Sequence, residues 1–244
     1  MPMRTHTLKK WIAACLLPLL AGATQAEEQN HNVEGFHIEF LASYLGFKAD
    51  IVMTLEPAEQ PDEYLYKVST TARGLAKLVR SGTGVETALF RSGANGIESL
   101  LYTLDDGTKE VENDTRIEFD YAAGVAHSNY KGAPLDLELT TGLVDRLTAD
   151  IIAIERLRAG QKAGGSDVVI RNSVRRYEYT RLGEETVSVP AGKFATVIYM
   201  RQRPGSTRAA KVWYAPELGY LPVKIDQLKR GDSQVVAEAI KIKR

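Results

Sequence analysis

Arg175, Tyr177, Tyr179 and Arg181 occupy every second position of one segment, and Tyr199, Arg201 and Arg203 do the same in another. Residues two apart on an extended strand share a face, so each segment sets phenol rings and guanidinium groups side by side. Lys211 and Trp213 repeat the pattern over a shorter length. Turned into a barrel, such faces form a groove in which aromatic planes stack on sugars or cover acyl chains and guanidinium forks take phosphates or carboxylates. Turned outward, they are a solvated face. The opposite face of 194–203 carries Phe194, Thr196, Ile198 and Met200, which has the character of core, so the expected orientation of the aromatic and basic face is outward. The candidate ligand-binding residues are Arg175, Tyr177, Tyr179, Arg181, Tyr199, Arg201, Arg203 and Trp213.

Other chemistries find less support. His31, His37 and His127 form no His-x-His or His-x-x-x-His pair, and a zinc or iron site needs three or four converging ligands, so no metal is assigned. Alternation from Phe36 and Ile38 sets His37 on the face shared with Glu39, as a solvated strand residue. There is no G-x-S-x-G; Ser81 lies in a glycine-rich hairpin loop, Arg80-Ser81-Gly82-Thr83-Gly84. Gly192-Lys193 follows Pro190-Ala191 without the earlier glycine of a phosphate-binding loop and reads as a hairpin. Carboxylates such as Glu110, Glu112, Asp114 and Glu118 are available for glycoside chemistry, but those flanking Ile117 and Phe119 fall on the outward face of their strand. No catalytic residue and no cofactor is therefore assigned.

The elements that hold these residues are mostly strands. Short alternating runs rich in β-branched and aromatic residues are predicted at 35–44, 47–56, 64–72, 84–91, 96–104, 114–121, 124–130 and 134–139, and again at 167–173, 174–182, 185–189, 194–203, 208–215, 220–229 and 234–243. Turn signals such as Ala94-Asn95-Gly96, Asp105-Asp106-Gly107, Pro190-Ala191-Gly192 and Arg230-Gly231-Asp232 separate them and predict antiparallel hairpins. Residues 143–158 break the rhythm with apolar positions at helical spacing and Gly160 to stop the helix. The expected fold is mainly β, one large antiparallel barrel-like or two-sheet sandwich domain over 34–244, with the helix plugging one end or crossing the open face.

Residues 1–26 read as a signal peptide, with a basic start, an apolar run from Trp11 to Ala23 and small residues up to a cleavage site after Ala26. Residues 27–33 are polar and expected to be loose. Cys15, the chain's single cysteine, lies in that leader, so the remainder has neither a disulfide framework nor a thiolate nucleophile. The chain holds 31 bases and 31 acids; without Arg4, Lys9 and Lys10, 28 bases face 31 acids. Charge divides unevenly, with 13 bases and 23 acids in 27–165 but 15 and 8 in 166–244. The plainer expectation is that the two halves neutralise each other across the sheets; the sharper one is a basic face on the second half. No later run is apolar for long enough to cross a membrane as a helix. A periplasmic location is expected, and export with a net negative charge disfavours nucleic acid.

The most distinctive stretch is Val189-Pro190-Ala191-Gly192-Lys193-Phe194, followed by the Trp213 strand, then Pro222-Val223-Lys224-Ile225 and Gly231. In these motifs the chain resembles a bacterial exported family known as domain of unknown function 3108, over most of residues 34–243. The resemblance implies a mainly β fold in an exported protein, and it supplies no catalytic residues to carry over. The leading expectation is a non-enzymatic binding or envelope accessory protein holding a lipid, glycan or polymer segment. The alternatives are an envelope hydrolase using paired carboxylates, and an assembly factor that binds an envelope protein through a sheet edge.

Overall fold

In β1 (Phe36–Tyr44), Phe36, Ile38, Phe40 and Ala42 are buried while the residues between them are less so, and this period of two runs through most of the chain. The computed structural model describes residues 33–78, 81–108 and 114–244. The expected leader, its cleavage site after Ala26 and all but the last residue of the 27–33 segment lie outside these residues, as do Glu110 and Glu112.

The first half continues with β2 (Phe47–Pro57), β3 (Glu63–Arg73), β4 (Thr83–Gly93), β5 (Gly96–Asp105), β6 (Thr115–Asp120), β7 (Val125–Tyr130) and β8 (Ala133–Glu138). A short strand, β9 (Leu143–Asp145), leads into the helix α1 (Arg146–Arg158). After it come β10 (Gly165–Val169), β11 (Val174–Val189), β12 (Gly192–Gln202), β13 (Arg208–Ala215), β14 (Leu221–Lys229) and β15 (Asp232–Lys243). The fifteen strands of the described residues form one sheet, in the order β8 to β1, then β15 down to β9. The two halves of the chain are thus two wings, joined where β1 pairs antiparallel with β15, Ile38 opposite Ile242.

The sheet curls until its ends approach each other. No backbone ladder joins β8 to β9; side chains do the work instead. Ser99 of β5 donates to the Asp145 carboxylate at 2.7 Å and accepts from the Asp145 amide at 2.9 Å. Ser128 of β7 donates to the Arg171 carbonyl at 2.8 Å, and Asn172 donates to the Ala133 carbonyl at 2.9 Å. Inside the curl lies α1. Leu147 and Ile151 pack in the large cluster with Phe40, Phe90 and Ile117 of the first wing, whereas Ile154 and Leu157 pack with Tyr199, Val212 and Tyr214 of the second. One helix therefore fills the space between both wings, which is why it carries apolar residues around much of its girth.

Asp145 starts that helix as its N-cap. Its carboxylate accepts from the amides of Leu147 and Thr148 and from the hydroxyls of Thr148 and Ser99, all within 2.9 Å. Burial pushes the Asp145 carboxyl above the ordinary aspartate range, and these hydrogen bonds oppose that shift. Gly160, at φ +71°, ends the helix where a glycine is expected.

Three details differ from the sequence expectations. Residues 143–145 are strand rather than the first turn of the helix, because Asp145 must be extended to cap it. Segments 174–182 and 185–189 are one strand, β11, with an irregular register between Arg181 and Gly183 where an interruption was expected. Finally, β9 and β10 pair in parallel, since a helix and not a hairpin connects them.

Candidate functional site

The register of β11 and β12 sets Tyr179 opposite Arg201 and Arg181 opposite Tyr199; Tyr199 in turn faces Val212, and Arg201 faces Ala210, on β13. Tyr179, Tyr199, Ala210, Val212 and Tyr214 are buried together against α1. The aromatic and basic face thus points into the curl, which corrects the outward orientation expected from the sequence. The physical reason is that β12 is covered on both faces. Ile198 packs with Val187, Trp213, Ala215 and Val223 in a small separate cluster on the other side, so its apolar character does not mark the interior.

Helix α1 supplies the counter-charge. Arg201 Nη1 lies 2.5 Å from both oxygens of Asp150, the Tyr179 hydroxyl donates to Asp150 Oδ1 at 2.9 Å, and the Arg201 guanidinium lies over the Tyr177 ring at 5.3 Å. Burial alone would weaken the Arg201 charge, but Asp150 together with Tyr179 and Tyr177 outweighs it, and the pKa lies well above the ordinary value. The same burial, with Asp150 second, pushes the Tyr179 hydroxyl far up, so it stays a donor. A second pair lies across the curl: Arg146 Nε is 3.2 Å from Glu86 Oε2, which also accepts from the Tyr102 hydroxyl at 2.9 Å.

Above these pairs opens a cavity of about 650 Å³. Six arginines line it, Arg146, Arg171, Arg175, Arg201, Arg203 and Arg208, with Tyr102, Tyr177, Gln202 and Gln227 among the other lining residues. No carboxylate among the described residues is part of that lining. Glu86 and Asp150 neutralise Arg146 and Arg201 from behind. Arg171 lies over the Tyr130 ring at 4.8 Å, and Arg171, Arg175, Arg203 and Arg208 have no acidic partner among the described residues. Four guanidinium groups are left to face an open, roomy, positively charged mouth. Such groups suit bidentate contacts to phosphate or carboxylate.

A groove of about 710 Å³ at the other end, beside the end of α1, offers no comparable field, because Glu155 and Asp167 share its lining with Arg156, Arg158 and Arg176. Asp105, Asp106 and Asp114 cluster at the β5–β6 connection with carboxylate oxygens within 4.8 Å of one another. Their carboxylates accept from the amides of Gly107, Thr108 and Asp106, which is the work of turn-forming aspartates. His37 bonds to Glu39 and Thr54, and His127 to Asp136, on strand faces.

Of the candidates, Arg175, Tyr177, Arg201 and Arg203 line the cavity, with Tyr179 and Tyr199 buried beneath it. Arg181 is half exposed and pairs with Glu184. Trp213 lies on the opposite face of β13, 4% exposed, its indole N–H bonded to Glu185 and its ring flanked by Lys211 and Lys224 at 4.5 and 5.3 Å. Lys211 and Trp213 therefore do not extend the tyrosine and arginine pattern. Sequence reasoning missed Arg146, Arg171, Arg208, Glu86, Asp150 and Tyr102. Arg208 was within reach, since it alternates with Ala210 and Val212 after the Pro204-Gly205 turn; Arg146 and Asp150, on a helix, gave no such signal.

These features define a barrel-like protein, made among the described residues of a single curled sheet around one helix, with a basic mouth. Its fold is similar to that of the beta-barrel-like protein of domain of unknown function DUF1849 from Brucella abortus, with a TM-score of 0.54 and 10% identity over 86% of this chain and 98% of that one. A Bacteroides fragilis protein with a YmcC-like fold gives a TM-score of 0.32 and 15% identity over 86% of this chain and 96% of that one. No curated protein matches the sequence. The profile of the family described as Protein of unknown function (DUF3108) matches residues 39–238, and the chain belongs to that family. The motif residues that carry the resemblance are structural: Ala191 donates to the Ala239 carbonyl at 2.9 Å, and a side chain at Gly192 would meet the Phe194 ring at 3.0 Å.

Proposed function

We propose that this is a non-enzymatic binding protein of the bacterial envelope, exported to the periplasm, whose mouth holds an anionic segment of a lipid or glycan. The observation that carries the reading is the 650 Å³ cavity lined by six arginines, four of them without an acidic partner among the described residues. An anion entering it gains charge-assisted hydrogen bonds from Arg175 and Arg208 on strands β11 and β13 and from Arg171 and Arg203 in the connections beside them, and the half-buried Tyr177 ring lies beside the same space. Two further observations favour this over the alternatives. Glu86 and Asp150, the carboxylates behind the cavity, are each held by an arginine and a tyrosine, which suits them to positioning. The β8 edge is only six residues long and carries Pro134 and Asp136, which blunt strand addition by a partner at that edge.

Calorimetric titration tests the reading with two probes, inorganic pyrophosphate and an oligogalacturonate. At least one is expected to bind saturably and more weakly as salt rises, and Arg203→Ala with Arg208→Ala to weaken binding by roughly tenfold or more per guanidinium. Equal affinity in the double variant, or no saturable binding of either probe, overturns it.

A further inference from the structure

Strand directions bring one set of connections to the same end of the curl as the basic mouth. β1 ends and β2 begins there, β3 ends there, and β12 runs into β13 there through Arg203 and Arg208. At that end the β1–β2 turn carries Leu45, 82% exposed, and Phe47, 47% exposed; beside it, after β3, a 3₁₀ turn (Gly74–Leu78) carries Leu75 and Leu78, 74% and 84% exposed. Lys48 stands opposite Arg73 in the ladder and Lys77 lies within the 3₁₀ turn, so cations are interleaved with the apolar groups. Neither lysine has an acidic partner among the described residues.

The turn itself is unusual. Leu45 and Gly46 have φ of +46° and +84°, so two consecutive residues adopt the left-handed conformation that hairpin turns usually fill with Asn-Gly or Asp-Gly. A leucine there is unfavourable twice over, in backbone conformation and in exposure to water. The folded chain relieves neither penalty, with Leu45 82% exposed at a φ of +46°, but the second is relieved when the tip enters an apolar medium.

We propose that this end of the molecule docks on an anionic phospholipid bilayer, Leu45, Phe47, Leu75 and Leu78 entering the headgroup and acyl boundary while Lys48 and Lys77 pair with lipid phosphates. Exposed apolar tips flanked by the lysines Lys48 and Lys77 are the chemistry of an interfacial anchor, and their charge complements an anionic leaflet. The docked pose turns the arginine-lined mouth toward the same surface. Asp105, Asp106 and Asp114 belong to that end as well and limit how closely it lies on the membrane at their side. Docking through these tips is independent of whether the cavity holds a ligand.

The test is co-sedimentation of the exported chain with sucrose-loaded vesicles, either phosphatidylcholine alone or with about a third phosphatidylglycerol. The expected result is binding to the anionic vesicles, weakened by salt. Leu45→Ser with Leu75→Ser and Leu78→Ser is expected to reduce it about tenfold or more, with an unchanged thermal midpoint because the three side chains are exposed. In Leu45→Trp the indole emission is expected to shift to the blue on addition of the same vesicles. The cavity variant Arg203→Ala with Arg208→Ala keeps a substantial part of vesicle binding, which separates failure of the cavity reading from failure of this one. Equal sedimentation of the wild type and the triple serine variant overturns the proposal. So does self-association of the wild type that the serine variant abolishes, with no vesicle binding in either, since the patch then belongs to a second copy.

Discussion

At the scale of single residues, the site depends on charges that compensate one another below the mouth. Asp150→Ala leaves the Arg201 guanidinium buried with no carboxylate, and is expected to cost about 3 kcal/mol in urea unfolding. Adding Arg201→Met should recover much of that loss, because the uncompensated charge goes with it; a double variant no more stable than the single one would contradict the pairing. Trp213 illustrates a different role. Its ring is buried on the face away from the cavity, so Trp213→Ala is expected to cost about 3–5 kcal/mol while leaving anion binding intact. His127 offers a surface check: its hydrogen bond to Asp136 raises its pKa above 6.5. Because the folded value is the higher one, the stability this pair contributes is present below about 6.5 and is lost as the pH rises through the folded value. An NMR titration should show the elevated value, and Asp136→Asn should lower it.

At the scale of elements, the cap of α1 ties local structure to closure of the fold. Asp145 both starts the helix and bonds to Ser99 on β5, so it fixes the helix in the gap between the wings. Asp145→Ala is expected to cost about 2 kcal/mol or more, at the upper end for a lost cap, with Ser99→Ala milder; equal and negligible effects in thermal unfolding would show that the junction is not formed. Elements were also what the sequence revealed best. Alternation and turn residues located the hairpins from Phe36 to Leu137 and from Val187 to Lys243 because each strand has one buried face and a turn with its own signature. The β9 strand escaped notice because Leu143, Val144 and Asp145 are all buried and three residues carry no period. The inward orientation of Tyr177 and Arg201 escaped because β12 is covered on both sides, so hydrophobicity alone does not distinguish inside from outside there.

At the scale of the whole molecule, the order of the strands explains why only part of the site was legible. Arg175, Tyr177, Arg201 and Arg203 come from adjacent strands, β11 and β12, and the turn that follows them, and share a visible pattern. Arg146 comes from the helix and Tyr102 from the far wing, and only curling of the sheet brings them to the same cavity. That curling is held by side chains and α1 rather than by a ladder. Hydrogen exchange should therefore find the amides of β8 exchanging well before those of β1 and β15 at the centre of the sheet; uniform protection from β8 to β9 would mean a closed barrel. If the arginine-lined mouth carries an anion, native mass spectrometry of the intact chain detects it. Chain purified gently after export should show a discrete extra mass that is absent after refolding from denaturant and absent in Arg203→Ala with Arg208→Ala. The bare chain mass in all three samples would contradict it.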